Sequence, residues 1–310
     1  MENYYRIYEQ VYESPTTTIA NIAKNAGLPS FRVSRCLKEM YAKDILIGPY
    51  LLMKPAPNYK EYVYLLNFSN PYPTFEALEQ LPQVVYCVLL SGDWNILAIM
   101  DSPLDFSKME GFQNIVSQGM RGLSYTPKAT HVTWRKGFEK VNRYIVEFVP
   151  AETERSETKP LDWGEDEWKL FQAFEYDLRK EKLPVLREIG VKRNCYLKWI
   201  KTLNDHCTIH TEFHPGGHYS SGKVYFLFSS EYRSQIRSLF SLFPASSFFT
   251  EVGDELLVLT RIAPPDIGIE LFRVPKEMQK KGMIKEFRQT IFLLDYRRSR
   301  WDSRFRQSFP

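Results

Sequence analysis

Four of the five histidines in this 310-residue chain fall within thirteen residues. They are His206, His210, His214 and His218, with Cys207 beside the first. Imidazoles and a thiolate suit zinc, nickel or copper. On an extended strand the even spacing puts His210 and His214 on one face, and Pro215-Gly216-Gly217 can fold His218 back toward them. No spacing matches a zinc-finger pattern. The expectation is therefore no bound metal, with His210, His214, His218 and Cys207 as the residues that would hold one. A second group is cationic. Arg35 and Lys38 project opposite an apolar stripe of Val33, Leu37 and Met40, with Arg32 on the flank and Ser30 opening the helix. A later helix repeats the arrangement. Asn194, Lys198 and Lys201 stand opposite Tyr196, Ile200 and Leu203, and Lys192-Arg193 opens it. Cations on a helix face beside a wing are what phosphate neutralisation and major-groove entry require. Lys and Arg also occupy most solvated helix faces. The third group is a pair of Gly-Asp steps, Gly92-Asp93 and Gly253-Asp254, the first followed by Trp94-Asn95. Both read as turns between strands, because Gly and Asp tolerate positive φ. There is no phosphate-cradling Gly-rich loop and no G-x-S-x-G elbow.

These residues need elements to position them. Residues 4–13 have helical periodicity, Thr18–Ala26 reads as a short helix ended by Gly27, and a third helix runs from Pro29-Ser30 to about Lys43. The set is a helix-turn-helix, with Ile45–Lys54 as its wing. Strands at Glu61–Phe68, Val84–Leu90, Asn95–Met100 and Ala129–Trp134, with helices at Thr74–Leu81 and Asp105–Gln118, give the order βαββαβ. Sliding the sequence by 161 residues aligns ten identities over positions 63–105, among them Val63/Val224, Tyr64/Tyr225, Gly92/Gly253 and Asp93/Asp254. Chance would give roughly two or three. The chain thus reads as α+β. Two winged helix-turn-helix units (1–55 and 165–215) are each followed by a ferredoxin-like module (56–136 and 216–310). A polar linker at 137–164 joins the halves, which pack sheet to sheet as an internal pseudo-dimer.

Composition narrows the classes. Hydrophobic residues make up 44% and charged residues 25%, which excludes a disordered or collagen-like chain. The net charge of +4 does not announce a nucleic-acid binder, so any basic surface is local. Four scattered cysteines without a CxxC pair suit reduced thiols. The start lacks a secretory signal and no apolar run approaches a membrane span, so the expectation is a cytoplasmic protein with no membrane contact. Five arginines, Arg297, Arg298, Arg300, Arg304 and Arg306, face only Asp302 at the C-terminus and suggest a phosphate-binding arm.

The order of elements resembles the Lrp/AsnC transcription regulators. Leu28-Pro29-Ser30 through Val33, Arg35, Leu37 and Glu39, then Asp44-Ile45-Leu46, Val84-Val85 and Leu90–Leu97 carry the resemblance. It implies duplex DNA as partner, contacted through Ser30, Arg32, Arg35 and Lys38. In the second unit the contacts are Lys192, Arg193, Asn194, Lys198 and Lys201. It also implies a small effector held near Gly92, Asp93, Trp94, Asn95, Gly253 and Asp254. On this reading the chain is a regulator, not an enzyme, with no cofactor, and it can pair further as a homodimer. The alternative is an enzyme. Siroheme decarboxylases resemble paired Lrp/AsnC modules that hold a tetrapyrrole between them by His and Arg. Trp94-Asn95-Ile96-Leu97 loosely resembles their Asn-Leu-Trp stretch, but Val84–Ser91 has no Arg or His to hold a carboxylate.

Overall fold

Thr18 caps a helix by accepting a hydrogen bond on Oγ1 from the Asn21 amide (3.2 Å), and Gly27 ends it at φ +65°. The resulting α1 (Glu2–Glu13), α2 (Ile19–Ala26) and α3 (Ser30–Ala42) follow the sequence expectation closely. Their core is Ile7, Val11, Ile22, Val33, Leu37 and Met40. In this computed structural model residues 1–151 and 159–297 are described. The arginine arm beyond Arg297 and the acidic linker residues Glu152, Glu154 and Glu157 lie outside the described residues.

The expected wing is not a wing. Leu46–Met53 is one strand, β1, and it pairs antiparallel with β6 (Cys207–Phe213) from the other half, Leu46 opposite Phe213 and Met53 opposite Cys207. Immediately before β6 in sequence come α6 (Glu165–Phe174), α7 (Lys182–Glu188) and α8 (Arg193–His206). The pairing is reciprocal in its packing. Leu51 and Met53 join Trp199 and Leu203 in the second helical core, while Phe213 joins Tyr8 and Val33 in the first.

The other strands close into one barrel. The first half supplies β2 (Tyr62–Phe68), β3 (Val84–Gly92), β4 (Ile96–Met100) and β5 (Phe112–Tyr125), with α4 (Pro71–Glu79) on the outside. The second supplies β7 (Lys223–Ser229), β8 (Phe248–Val252), β9 (Glu255–Arg261) and β10 (Glu286–Arg297), with α9 (Arg233–Phe240) and α10 (Gly268–Lys280). The order round the barrel is β10-β3-β4-β2-β5-β8-β9-β7, and β7 pairs with β10 to close it. The halves therefore join edge to edge at β5–β8 and β3–β10, and their helix-free faces meet inside. Val63, Leu65, Val88, Leu90, Trp94, Leu97, Tyr225 and Leu257 fill the interior. No helix among the described residues is long and apolar enough to cross a membrane.

Three sequence expectations are corrected. The helix expected over Asp105–Gln118 is a single 3₁₀ turn at Phe106–Lys108, then strand β5. Residues 129–134, expected as a strand, form none. Residues 137–146, expected to begin the linker, belong to α5 (Trp134–Val146), whose Phe138, Val141 and Ile145 pack among Phe226, Phe228 and Phe243 of the second half. The sequence repeat also slips in space. Val63 and Leu97 face the barrel interior, but their aligned partners Val224 and Val258 pack outward. Tyr64 packs outward and Tyr225 inward. A one-residue offset exchanges the faces of a strand, so the 161-residue alignment does not match positions in the barrel.

Candidate functional site

A cavity of about 420 Å³ lies between the barrel interior and the β1–β6 ribbon. This is a usual size for a small-molecule site. The ribbon contributes Tyr50, Leu51 and Glu212, the barrel Tyr86, Arg121, Lys223, Tyr225 and Thr250, and the segment after β6 His218 and Tyr219. Its walls are apolar at Ile47, Leu97, Ile99, Leu257 and Phe248.

Two polar groups line it. Arg121 on β5 is a fully braced guanidinium. Its Nε contacts Glu61, Nη1 donates to Ser124 Oγ (3.1 Å) and Nη2 donates to the Met53 carbonyl (2.7 Å). Tyr59 donates to the other oxygen of Glu61 (2.7 Å). The second group centres on Glu212. Tyr50 donates to one carboxylate oxygen (2.7 Å) and His214 Nε2 to the other (2.8 Å). Burial alone would raise the Glu212 pKa; the hydrogen bond and charge of His214, with the Tyr50 hydrogen bond, hold it well below the usual carboxylate range. Arg261 grips His218, with Nη1 on its carbonyl (2.5 Å) and Nη2 on its Nδ1. Burial, then the charges of Arg261 and Lys223, drop the His218 pKa to about 3, so the ring is neutral. Burial, reinforced by Glu212, pushes the Tyr50 hydroxyl far above its ordinary pKa. Burial does the same to Tyr86, whose hydroxyl donates to Asp295 (3.2 Å).

The histidine cluster is partly assembled. His214 and His218 come together with Glu212, their ligand atoms within 4.8 Å of one another. Sequence spacing had not singled out Glu212. His210 stands apart, held by Thr126 Oγ1 (2.8 Å) and Thr208 Oγ1 (2.7 Å). Cys207 Sγ lies 3.7 Å from Met53 Sδ. The group fits a cation poorly. Both Glu212 oxygens already accept hydrogen bonds, and His218 Nδ1 accepts from Arg261, which leaves the proton on its Nε2.

The Gly-Asp turns lie elsewhere. Asp93 accepts on Oδ2 from the Gln289 amide (2.7 Å), Thr290 donates to the Trp94 carbonyl (2.8 Å), and the Asn95 side chain bonds both backbone groups of Phe68. Trp94 is fully buried in the barrel interior. Gly253-Asp254 is a two-residue hairpin turn against Gly119 of β5. None of these six residues lines the cavity. Ser30, Arg32, Arg35, Lys38, Lys192, Arg193, Asn194, Lys198 and Lys201 are exposed on α3 and around α8, also away from it. His131 stacks on Tyr5 at 4.8 Å, outside the cavity.

Neither a family model nor a curated protein matches the sequence. Solved structures do match in shape. The crystal structure of the siroheme decarboxylase NirDL aligns over 98% of this chain and 96% of its own, with a TM-score of 0.51 and 8% identity. The chain shares its fold with a siroheme decarboxylase. A second structure, the same decarboxylase in co-complex with an iron-uroporphyrin III analogue, aligns over 94% and 92% with a TM-score of 0.47 and 7% identity.

The first of these matches corrects the regulator expectation. An architecture matched end to end by an enzyme does not mark a DNA reader, and it removes the grounds for calling the chain a non-enzyme with duplex DNA as its partner. The structure adds a physical reason. The strand that should enter a groove as a wing is paired along its length with β6, and its Leu46, Leu51 and Met53 are buried.

Proposed function

We propose that the chain is an enzyme of the siroheme-decarboxylase kind, binding a carboxylated tetrapyrrole in the cavity between the barrel and the β1–β6 ribbon. The observation that carries this reading is the cavity's lining: Lys223 and Arg297 beside the protonated hydroxyls of Tyr50 and Tyr86, with apolar walls. The shared fold with a siroheme decarboxylase supports it. We also infer that the two halves are fused Lrp/AsnC-like units, each a helix-turn-helix whose following strand pairs with that of the other half, and then a ferredoxin-like module. The strand orders β5-β2-β4-β3 and β10-β7-β9-β8 support this, each running fourth, first, third, second.

Decarboxylation of a ring substituent needs three things from a protein. Cations hold the carboxylates that do not react. Apolar walls strip water from the one that does, which weakens its hold on the negative charge. A proton donor then supplies the carbon that keeps the electron pair when carbon dioxide leaves. Arg297 suits the first role. Leu97, Ile99 and Leu257 suit the second, and Tyr50 and Tyr86 the third.

The test is to titrate the purified full chain with siroheme and follow the visible spectrum and the product mass. A saturable spectral shift, followed by loss of carboxyl groups, is expected. Unchanged spectra at protein excess would overturn the reading. Tyr50→Phe combined with Tyr86→Phe should leave the spectral shift in place and slow product formation by roughly 10²–10⁴-fold, the usual worth of a positioned proton donor.

A further inference from the structure

Lys223 is the unusual cation of the cavity. It heads β7, just before the apolar run Val224–Phe228, and is only 8% exposed. Its Nζ lies 4.2 Å from the centre of the Phe292 ring and 5.6 Å from that of Tyr219. It makes no hydrogen bond and no ion pair among the described residues, whereas Arg121 and Arg261 spend their donors on fixed partners. A buried ammonium is expected to be paired, because leaving water costs far more for a charge than for a neutral amine. Strand register also sets Lys223 directly opposite Arg261 on β9, a like charge.

We propose that Lys223 is a reactive amine that captures the carbonyl carbon of an aldehyde or 2-oxo acid in the cavity as a Schiff base. Desolvated lysines beside a second cation are the ones that serve as amine nucleophiles. The lone pair of the neutral amine forms the C–N bond. The carbonyl oxygen leaves as one water, carrying the two hydrogens of the amine, and the C=N double bond remains. No oxidant or reductant is consumed. The environment favours the neutral amine. Burial, then Arg261, lower the lysine pKa, against the opposing pull of Asp295 and Glu212. Arg297 lines the same cavity and has no ion pair among the described residues, so a carboxylate next to the carbonyl has a counter-charge there. Phe292, 4.2 Å from Nζ, and the burial of Lys223 to 8% exposure keep bulk water, which otherwise hydrolyses an imine, from the amine.

The inference shares the cavity with the tetrapyrrole reading but needs no tetrapyrrole, so either can fail alone. The experiment treats the full chain with glyoxylate, which carries both an aldehyde and a carboxylate, and traps imines with sodium borohydride. Peptide mass spectrometry then reads the carboxymethyl adduct at each lysine. Lys223 should be modified severalfold faster than exposed lysines such as Lys60 and Lys108 at neutral pH, since its lowered pKa leaves more free amine and Arg297 holds the carboxylate beside it. Propanal, which lacks the carboxylate, should lose the part of that advantage that Arg297 supplies and keep the rest. In Lys223→Arg the fast adduct should vanish while surface labelling is unchanged. Labelling of Lys223 at or below the rate of the exposed lysines would overturn the proposal. So would a fast adduct that persists in Lys223→Arg.

Discussion

Arg121 and Glu61 meet with 6% and 7% of their side chains exposed, and the residues around them determine what each substitution costs. Arg121 has three partners, and taking away the carboxylate leaves a guanidinium without its counter-charge in a dry place. Breaking such a buried pair from one side costs about 3–5 kcal/mol. Glu61→Gln should therefore lower stability by that amount in urea unfolding, and a loss under 1 kcal/mol would show the pair to be solvated. His210 makes a different kind of prediction. Burial drops its pKa to about 3, and both ring nitrogens are taken by threonine hydroxyls. The unfolded chain binds a proton near pH 6.5, while the folded chain resists it down to about 3. The stability contributed by the neutral ring is complete above about 6.5 and is lost as the pH falls through that window. His210→Gln, which keeps donor and acceptor without a titrating ring, should flatten the acid side of the stability curve between those limits. An acid limb identical to the wild type would place the loss elsewhere.

Strands are where sequence and structure part. The helices α1, α2, α3 and α8 were legible because each packs along one stripe of its own residues, as Val33, Leu37 and Met40 do. Strand β5 was not. Met109, Phe112 and Val116 are spaced as a helix would space them, but the segment is held by β2 on one side and by β8, more distant in sequence, on the other. The wing failed for the same reason, since its partner β6 belongs to the other half. Of the cavity, His218 and Tyr50 stand in stretches that draw attention, but Lys223, and Arg261 that grips His218, are single charges at the ends of apolar strands. The signal that could have found them is a cation capping a run such as Val224–Phe228 on an inward-facing position. The exchanged ribbon has its own test. Leu51→Ala should cost about 2–5 kcal/mol, as large-to-small changes in a core do. Amide exchange should rise in α6 and α8, against which Leu51 packs, rather than in α3 on its own side of the chain. A loss of protection confined to α1–α3 would contradict the exchange.

At the scale of the whole chain the barrel has two seams, and each half alone would expose both its edge strands and an apolar inner face. Such edges recruit other chains. Residues 1–130 expressed alone should self-associate or aggregate in light scattering, whereas a stable monomer at high concentration would refute the shared interior. The seam at β5–β8 is close enough to test by a single methyl. A Cβ on Gly119 would lie 2.7 Å from the Gly253 amide nitrogen. Gly119→Ala should lower the melting temperature through overpacking worth about 1–3 kcal/mol, and an unchanged melting temperature would mean that the seam can open without cost. Helix α5 carries the dependence between the halves further, into biosynthesis. Phe138, Val141 and Ile145 leave the ribosome long before Val224–Phe228 and β8, the strands they cover. At about 5–20 residues per second, that apolar face waits on the order of ten seconds for its partner. A nascent chain of this design cannot finish its first half and move on; it must be kept from aggregating until nearly all of it has been made.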